Sequence, residues 1–304
     1  MGINKNISVI ILTYNEEKHI ERCIKSLQLF AKEIFIVDSY STDKTVEIAE
    51  KLGAKIYQNK WKNYATQFQW GLDNCPIETD WVMRMDADEY IESSLAEEIA
   101  NNINILPENI KGIYLKRKYY FLGKWIKYGG VYPLILLRIW RRGYGRIEQR
   151  WMDEHIILSE GDTILFKKGD IVDDNKNNIG WWVDKHNKYA TREMIDLMNI
   201  KYKFLPIDES LKKNDDPQAK IKRILKENIY SRLPLGVRAT FYFLYRYFLR
   251  VGFLDGWRGF LFHFMQGWWY RLLVDVKCYE FEKKLKHYRN NFKELLKKEY
   301  GIII

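Results

Sequence analysis

Two carboxylates one residue apart, Asp86 and Asp88 in Met85-Asp-Ala-Asp-Glu89, follow the apolar stretch Trp81 to Met85, which reads as a strand. Such a pair can grip a hard divalent cation while leaving coordination positions open to phosphate oxygens. Acidic turn residues also cap helices, and an isolated Asp-x-Asp is more often explained that way. Context favours the cation, because two more polar clusters stand behind apolar runs of the same kind. These are residues 13 to 17 with Asn15-Glu16-Glu17, and Asp38-Ser39-Tyr40-Ser41-Thr42-Asp43.

The elements behind these clusters set their place. Ile7 to Leu12 is a continuous apolar run, and Ile20, Ile24 and Leu27 follow at helical spacing. The same unit returns as Ile34 to Val37, then Val46, Ile48, Ala49 and Leu52, with Gly53 as a stop. Ala54 to Tyr57 gives a third strand, Tyr64 to Leu72 a helix and Trp81 to Met85 a fourth strand, with Ser94 and Glu97 at capping-box spacing beyond it. Alternating strands and helices imply a mostly parallel, Rossmann-like sheet covered on both faces. Ligands bind beyond the carboxyl ends of such strands, where all three polar clusters fall.

Absent motifs narrow the chemistry. The chain contains no Gly-x-Gly-x-x-Gly and no Gly-x4-Gly-Lys-Ser/Thr, so neither a dinucleotide cradle nor a P-loop neutralises phosphates. Cys23, Cys75 and Cys278 lie far apart, against a disulfide framework or a cysteine zinc site. That, with the missing secretory pattern after Met1, predicts a cytoplasmic protein.

The runs Ile7-Ser-Val-Ile-Ile-Leu-Thr-Tyr-Asn-Glu16, Val37-Asp-Ser-Tyr-Ser-Thr-Asp-Lys-Thr45 and Met85-Asp-Ala-Asp-Glu89 resemble the three signatures of family 2 glycosyltransferases. Within that family the chain is most similar to bacterial enzymes that build lipopolysaccharide core or related surface glycans. The resemblance implies a GT-A fold, a nucleotide-sugar donor, usually a UDP-sugar, and Mn2+ or Mg2+. By position, Thr13, Tyr14, Asn15 and Glu16 would line the nucleotide pocket and Asp38 would hydrogen-bond the base. Asp86 and Ala87 would meet the ribose or donor sugar, Asp88 would be the principal metal ligand, and Gln67 would contact the donor. The middle loop departs from the commoner Asp-Asp-Gly-Ser, because Asp38-Ser39-Tyr40-Ser41 keeps one carboxylate there.

Transfer to a hydroxyl with inversion needs a base on the face opposite the leaving diphosphate. Asp153 and Glu154 in Trp151-Met-Asp-Glu-His155 are the candidates, and alignment of the following apolar run on relatives selects Glu154. A salt bridge to Arg146 or Arg150 is the plain alternative. His155 is a structural residue or a further metal ligand, and His186 beside Lys185 sits where a helix that could face a diphosphate is expected to begin. A polyprenyl-phosphate glycosyltransferase, whose ionised acceptor needs no base, is the neighbouring reading.

The segment from Lys116 to Arg150 is rich in Tyr, Trp, Arg and Gly, which suits an acceptor surface or an aromatic strand pair. Net charge is +10, and residues 220 to 300 hold 18 Lys plus Arg against 7 Asp plus Glu. That concentration lies away from the predicted rim, against a nucleic-acid binder. Residues 241 to 270 contain fourteen aromatics with interspersed charges and read as helices lying on an anionic membrane, with Arg246, Arg250 and Arg258 toward the headgroups and Trp268, Trp269 and Tyr270 at the polar boundary. A packed hairpin or a homodimer interface is the alternative, and Gly252, Gly256 and Gly259 favour a turn near Asp255. The expected organisation is a GT-A catalytic domain over 1–205, with donor half 1–110 and acceptor half 111–205. A helical, aromatic- and Arg-rich extension follows over 206–304. The picture is a metal-dependent inverting glycosyltransferase, peripheral on the inner face of the cytoplasmic membrane, acting on a glycan or lipid-linked acceptor.

Overall fold

A computed structural model describes residues 5–148, 154–204 and 234–302. Contacts divide the described residues into two compact units, 5–148 with 154–177, and 178–204 with 234–302.

The first unit is built on β1 (Ile7–Thr13), β2 (Ala31–Asp38), β3 (Lys55–Gln58) and β4 (Trp81–Asp86), all mutually parallel in the order β3-β2-β1-β4. Helices α1 (Ile20–Leu27), α2 (Thr45–Lys51) and α3 (Tyr64–Asn74) connect them. β1 is buried along its whole length because it is covered on both faces: Val9 and Ile11 enter one hydrophobic cluster, Ile10 and Leu12 another. Gly71 lets α3 lie against β2, since a Cβ there would come within 2.8 Å of Val37 Cγ2.

The sheet then changes character. Beyond β5 (Glu89–Ile91) and α4 (Ser93–Asn102) come β6 (Ile110–Phe121), β7 (Lys124–Ile126), β8 (Leu134–Arg141), β9 (Gly145–Ile147), β10 (Ile156–Leu158), β11 (Asp162–Leu165) and β12 (Ile171–Asp173). The path continues β4-β8-β6-β12-β5 with β4–β8, β8–β6 and β12–β5 antiparallel, so the sheet is mixed. This is the α/β arrangement of the GT-A type: the first four strands are all parallel, and beyond them parallel pairs (β6–β11, β6–β12) alternate with antiparallel ones. The aromatic segment after Lys116 is thus largely the β6–β8 strand pair. α4 begins one residue before the expected capping box, with Glu92 as its N-cap and no side-chain cap bond.

β8 pairs with β4 only at Trp81–Arg141, Val82–Trp140 and Met83–Ile139. Past Met83 the two strands part, and the reactive side chains sit in that opening.

The second unit opens with α5 (Ile179–Tyr202) and ends with α6 (Val237–Leu244), α7 (Gly256–Phe262), α8 (Tyr270–His287) and α9 (Phe292–Tyr300). Ala190, Met194 and Ile195 of α5 pack with Val274, Cys278 and Phe281 of α8. That packing places α5 with the C-terminal helices, ahead of the border after residue 205 that the sequence suggests. Asn178 caps α5 through a 2.9 Å bond from Trp181 N, so Lys185 and His186 lie inside the helix and not at its start. The diphosphate site expected at a helix N-terminus there is therefore not formed. Among the described residues no helix is long and apolar enough to cross a membrane.

Candidate active site

The register of one strand assembles the site. Leu12 of β1 lies opposite Asp86 of β4, and the next residue, Thr13, lies opposite Asp38 of β2. Three strand ends therefore deliver their loops to one edge.

Two of these loops are laced together. Thr13 Oγ1 donates to Asp38 at 2.9 Å, and Ser41 donates to the same carboxylate through its amide at 2.9 Å and its hydroxyl at 2.5 Å. Asn15 takes a left-handed backbone (φ 56°), which Asn tolerates better than most residues. Its carbonyl oxygen Oδ1 accepts Thr42 N at 2.8 Å while its own amide donates to Ser41 Oγ at 2.9 Å. Glu16 N donates to Thr45 Oγ1 at 2.7 Å. Because Lys176 N donates to His19 Nε2, the His19 proton is on Nδ1 and reaches Glu16 at 2.6 Å. Asp38 is fully buried, whereas Tyr14 and Tyr40 project from the two loops, 59% and 54% exposed. Gln67 is buried behind them, donating to Ser39 Oγ and the Asn59 carbonyl and accepting from the Asn59 amide. It ties the Ser39 loop to Asn59.

The three carboxylates of the β4 end occupy different environments. Asp86 accepts the Tyr64 hydroxyl and lies 3.5 Å from Arg138 and 4.0 Å from Arg84. Burial works to raise its pKa, but the two guanidinium groups and the Tyr64 hydrogen bond hold it well below the usual carboxylate range. Glu89 is wholly buried, bonded to Arg138 at 2.7 Å and Arg117 at 3.1 Å, and its carboxylate accepts the Asp86 amide at 3.1 Å. Burial pushes its carboxyl up, and Arg138 opposes that shift without cancelling it. Asp88 is half-buried and accepts the Asn175 amide at 2.9 Å, while its main-chain carbonyl accepts Arg22 at 3.2 Å. Ala87 is buried beneath the loop.

Glu154 lies near the same cluster: its main-chain carbonyl accepts Arg84 at 3.2 Å, and its charge acts on that guanidinium. Asp153 and Arg150 lie outside the described residues. His155 is held 3.5 Å from buried Glu148, so the structure does not gather it with Asp86 and Asp88 as a metal trio. Among the described residues no three His, Cys, Asp or Glu side chains converge on one point. Asp88, half-buried in the loop beyond β4, could still hold a Mn2+ or Mg2+ ion, since such ions commonly take one or two carboxylates, with substrate phosphates completing the shell. Asp86 is already compensated by arginines and fits a hydroxyl-accepting role better.

Sequence reasoning passed over Tyr64, Arg84 and Asn175, and covered Arg117 and Arg138 only within the segment from Lys116 to Arg150 read as an acceptor surface or a strand pair. The i, i+2 spacing of Arg84 and Asp86 on one strand face was a usable signal, as was the polar run Asp173 to Asn178.

A parallel half joined to a mixed half, with an Asp-x-Asp loop beyond the junction, is the GT-A class of arrangement. The family model described as glycosyl transferase family 2 matches residues 8–172, more than half of the chain, which therefore belongs to that family. The lipopolysaccharide core biosynthesis glycosyltransferase LpsC of Rhizobium meliloti is 30% identical over 190 residues, covering 61% of this chain and 69% of the relative. A glycosyltransferase of Rickettsia bellii is 44% identical over 97 residues, covering 32% of each chain. The chain spans about a third of the length of the first curated relatives it matches. Glucosyl-3-phosphoglycerate synthase of Mycobacterium tuberculosis, solved with Mn2+ and UDP, overlaps 38% of this chain and 45% of its own at 22% identity and a TM-score of 0.31.

Proposed function

We propose that the chain is an inverting glycosyltransferase that moves a sugar from a nucleotide diphosphate donor, a UDP-sugar, to a hydroxyl of a glycan or lipid-linked acceptor. The setting is surface polysaccharide or lipopolysaccharide synthesis at the cytoplasmic side of the membrane. The observation that carries this reading is the adjacent register of Thr13 with Asp38 and Leu12 with Asp86, which brings the nucleotide loops and the Asp-x-Asp loop to one edge. The likeness to LpsC supports the acceptor class.

In this reading Tyr14 and Tyr40 flank the base, with Asp38 and Gln67 holding their loops in shape behind them. Asp86, kept ionised by its arginines, accepts hydroxyls of the ribose or donor sugar. Asp88 holds Mn2+ or Mg2+, which when bound neutralises the departing diphosphate. Glu154 takes the acceptor proton, with Arg84 beside it restraining the segment; Asp153 is its competitor for that role. No nucleic-acid partner enters.

The test is UDP release from UDP-sugars by the full chain with Mn2+. Asp88→Ala should lower turnover by about a hundredfold or more while thermal unfolding stays unchanged. Full activity of this variant in the presence of a chelator sinks the reading.

A further inference from the structure

The transfer reaction leaves one surface unexplained, in the second unit. Following α6, a π-type turn (Tyr245–Leu249) and a 3-10 turn (Gly252–Asp255) lead into α7 and a second π-type stretch (His263–Trp269), forming a helical hairpin. Its tip exposes large apolar side chains in close succession: Phe248 54%, Leu249 77%, Phe253 45%, Leu254 54% and Trp257 69%. Side chains of this size are costly to leave in water, and a run of them on a surface marks something that covers it.

The tip is held in shape from within. Arg246 is buried and donates to Gln266 on the opposite arm at 3.3 Å. Gly252 lets the arms meet, because a Cβ there would stand 2.6 Å from His263 Nε2. The apolar display is therefore a built feature of an ordered turn.

Charge says what covers it. Between residues 235 and 270 the only acidic side chain is Asp255, which is buried, whereas Arg250 and Arg258 are exposed among the apolar groups. A second copy docked on the same surface would bring these guanidinium groups together with no exposed carboxylate from the tip to pair them. An anionic bilayer meets both features, since acyl chains receive the apolar side chains and headgroup phosphates receive the arginines. We propose that the tip from Phe248 to Trp257 is a wedge that inserts into the headgroup and acyl boundary of an anionic membrane without crossing it. The wedge is narrower than the sequence implies: Arg246 is buried, and Tyr270 is buried with its hydroxyl 2.6 Å from Glu193, so neither meets lipid.

Vesicle flotation of the full chain tests this independently of catalysis, with phosphatidylcholine alone and phosphatidylcholine mixed with phosphatidylglycerol. The chain should float with the mixed vesicles. Leu249→Ser combined with Phe253→Ser and Leu254→Ser, all exposed positions, should weaken that binding at least about tenfold with circular dichroism unchanged. Arg250→Gln with Arg258→Gln should remove the preference for anionic vesicles, about tenfold, while leaving the apolar part. No flotation of the parent chain, or equal flotation of the triple-serine variant, overturns the proposal. So does a parent dimer that the serine substitutions convert to monomer without any change in flotation, because a second copy then covers the tip.

Discussion

The Asn175 side-chain amide donates to the Asp88 carboxylate at 2.9 Å, joining residues 87 positions apart in the chain. Asn175 therefore orients the oxygen pair that the proposed cation needs. Asn175→Ala should weaken Mn2+ activation about tenfold to a hundredfold, the usual cost of losing such a supporting bond. A titration of activity against Mn2+ should show the midpoint moving while saturated turnover falls less. Asn175→Asp, which sets a second negative charge beside Asp88, should disturb the midpoint differently from the alanine variant.

Glu154→Gln keeps the shape of the side chain and removes its basicity. If the acceptor is a hydroxyl, turnover should fall by about a hundredfold to ten-thousandfold with donor affinity preserved. An already ionised phosphate acceptor predicts near-normal turnover. Donor affinity by calorimetry, measured beside the rate, separates the two cases.

Arg138→Met should cost about 3 to 5 kcal/mol of stability, because it leaves the Glu89 charge buried with less compensation. The double variant with Glu89→Gln should recover part of that loss. Urea denaturation of the four proteins closes the cycle, and additive effects would show that the pair is not coupled.

Acid should loosen the second unit through its buried histidines. Burial lowers the His186 pKa to about 4 and the His263 pKa to about 3, and His186 stacks on Trp182 with ring centroids 3.4 Å apart. Unfolded histidine titrates near 6.5, so below that pH the unfolded chain binds protons that the folded unit refuses. Stability is thus full above about 6.5 and falls as pH drops toward 4, by roughly 2 to 3 kcal/mol for His186 alone. His186→Phe should make the dependence of the urea midpoint on pH shallower across that window.

The sequence displayed the parallel half plainly because strands covered on both faces read as unbroken apolar runs, and the Ile7 to Leu12 expectation ends one residue short of β1. It also placed Thr13, Asp38 and Asp86, since each closes such a run. Arg138 and Arg117 lay in the segment read as an acceptor surface or strand pair, but their pairing with Glu89 was invisible because β8 and β6 reach β4 and β5 only through strand order, which no local pattern records. Glu89 looked like a third member of the acidic loop, and only its burial between two arginines distinguishes it. The expected start of a helix at His186 failed for a local reason: Asn178 supplies a cap before the apolar periodicity becomes clear.

The parting of β4 from β8 after Met83 has a mechanical result. Where a neighbouring strand would have held the end of β4, the Asp86 amide is held by the Glu89 carboxylate, which Arg138 of β8 grips in turn. An ionic clasp thus replaces a stretch of peptide ladder at the rim. Rigidity of the reactive loop and cohesion of the whole sheet depend there on the same two side chains, so neither property can be retuned without disturbing the other.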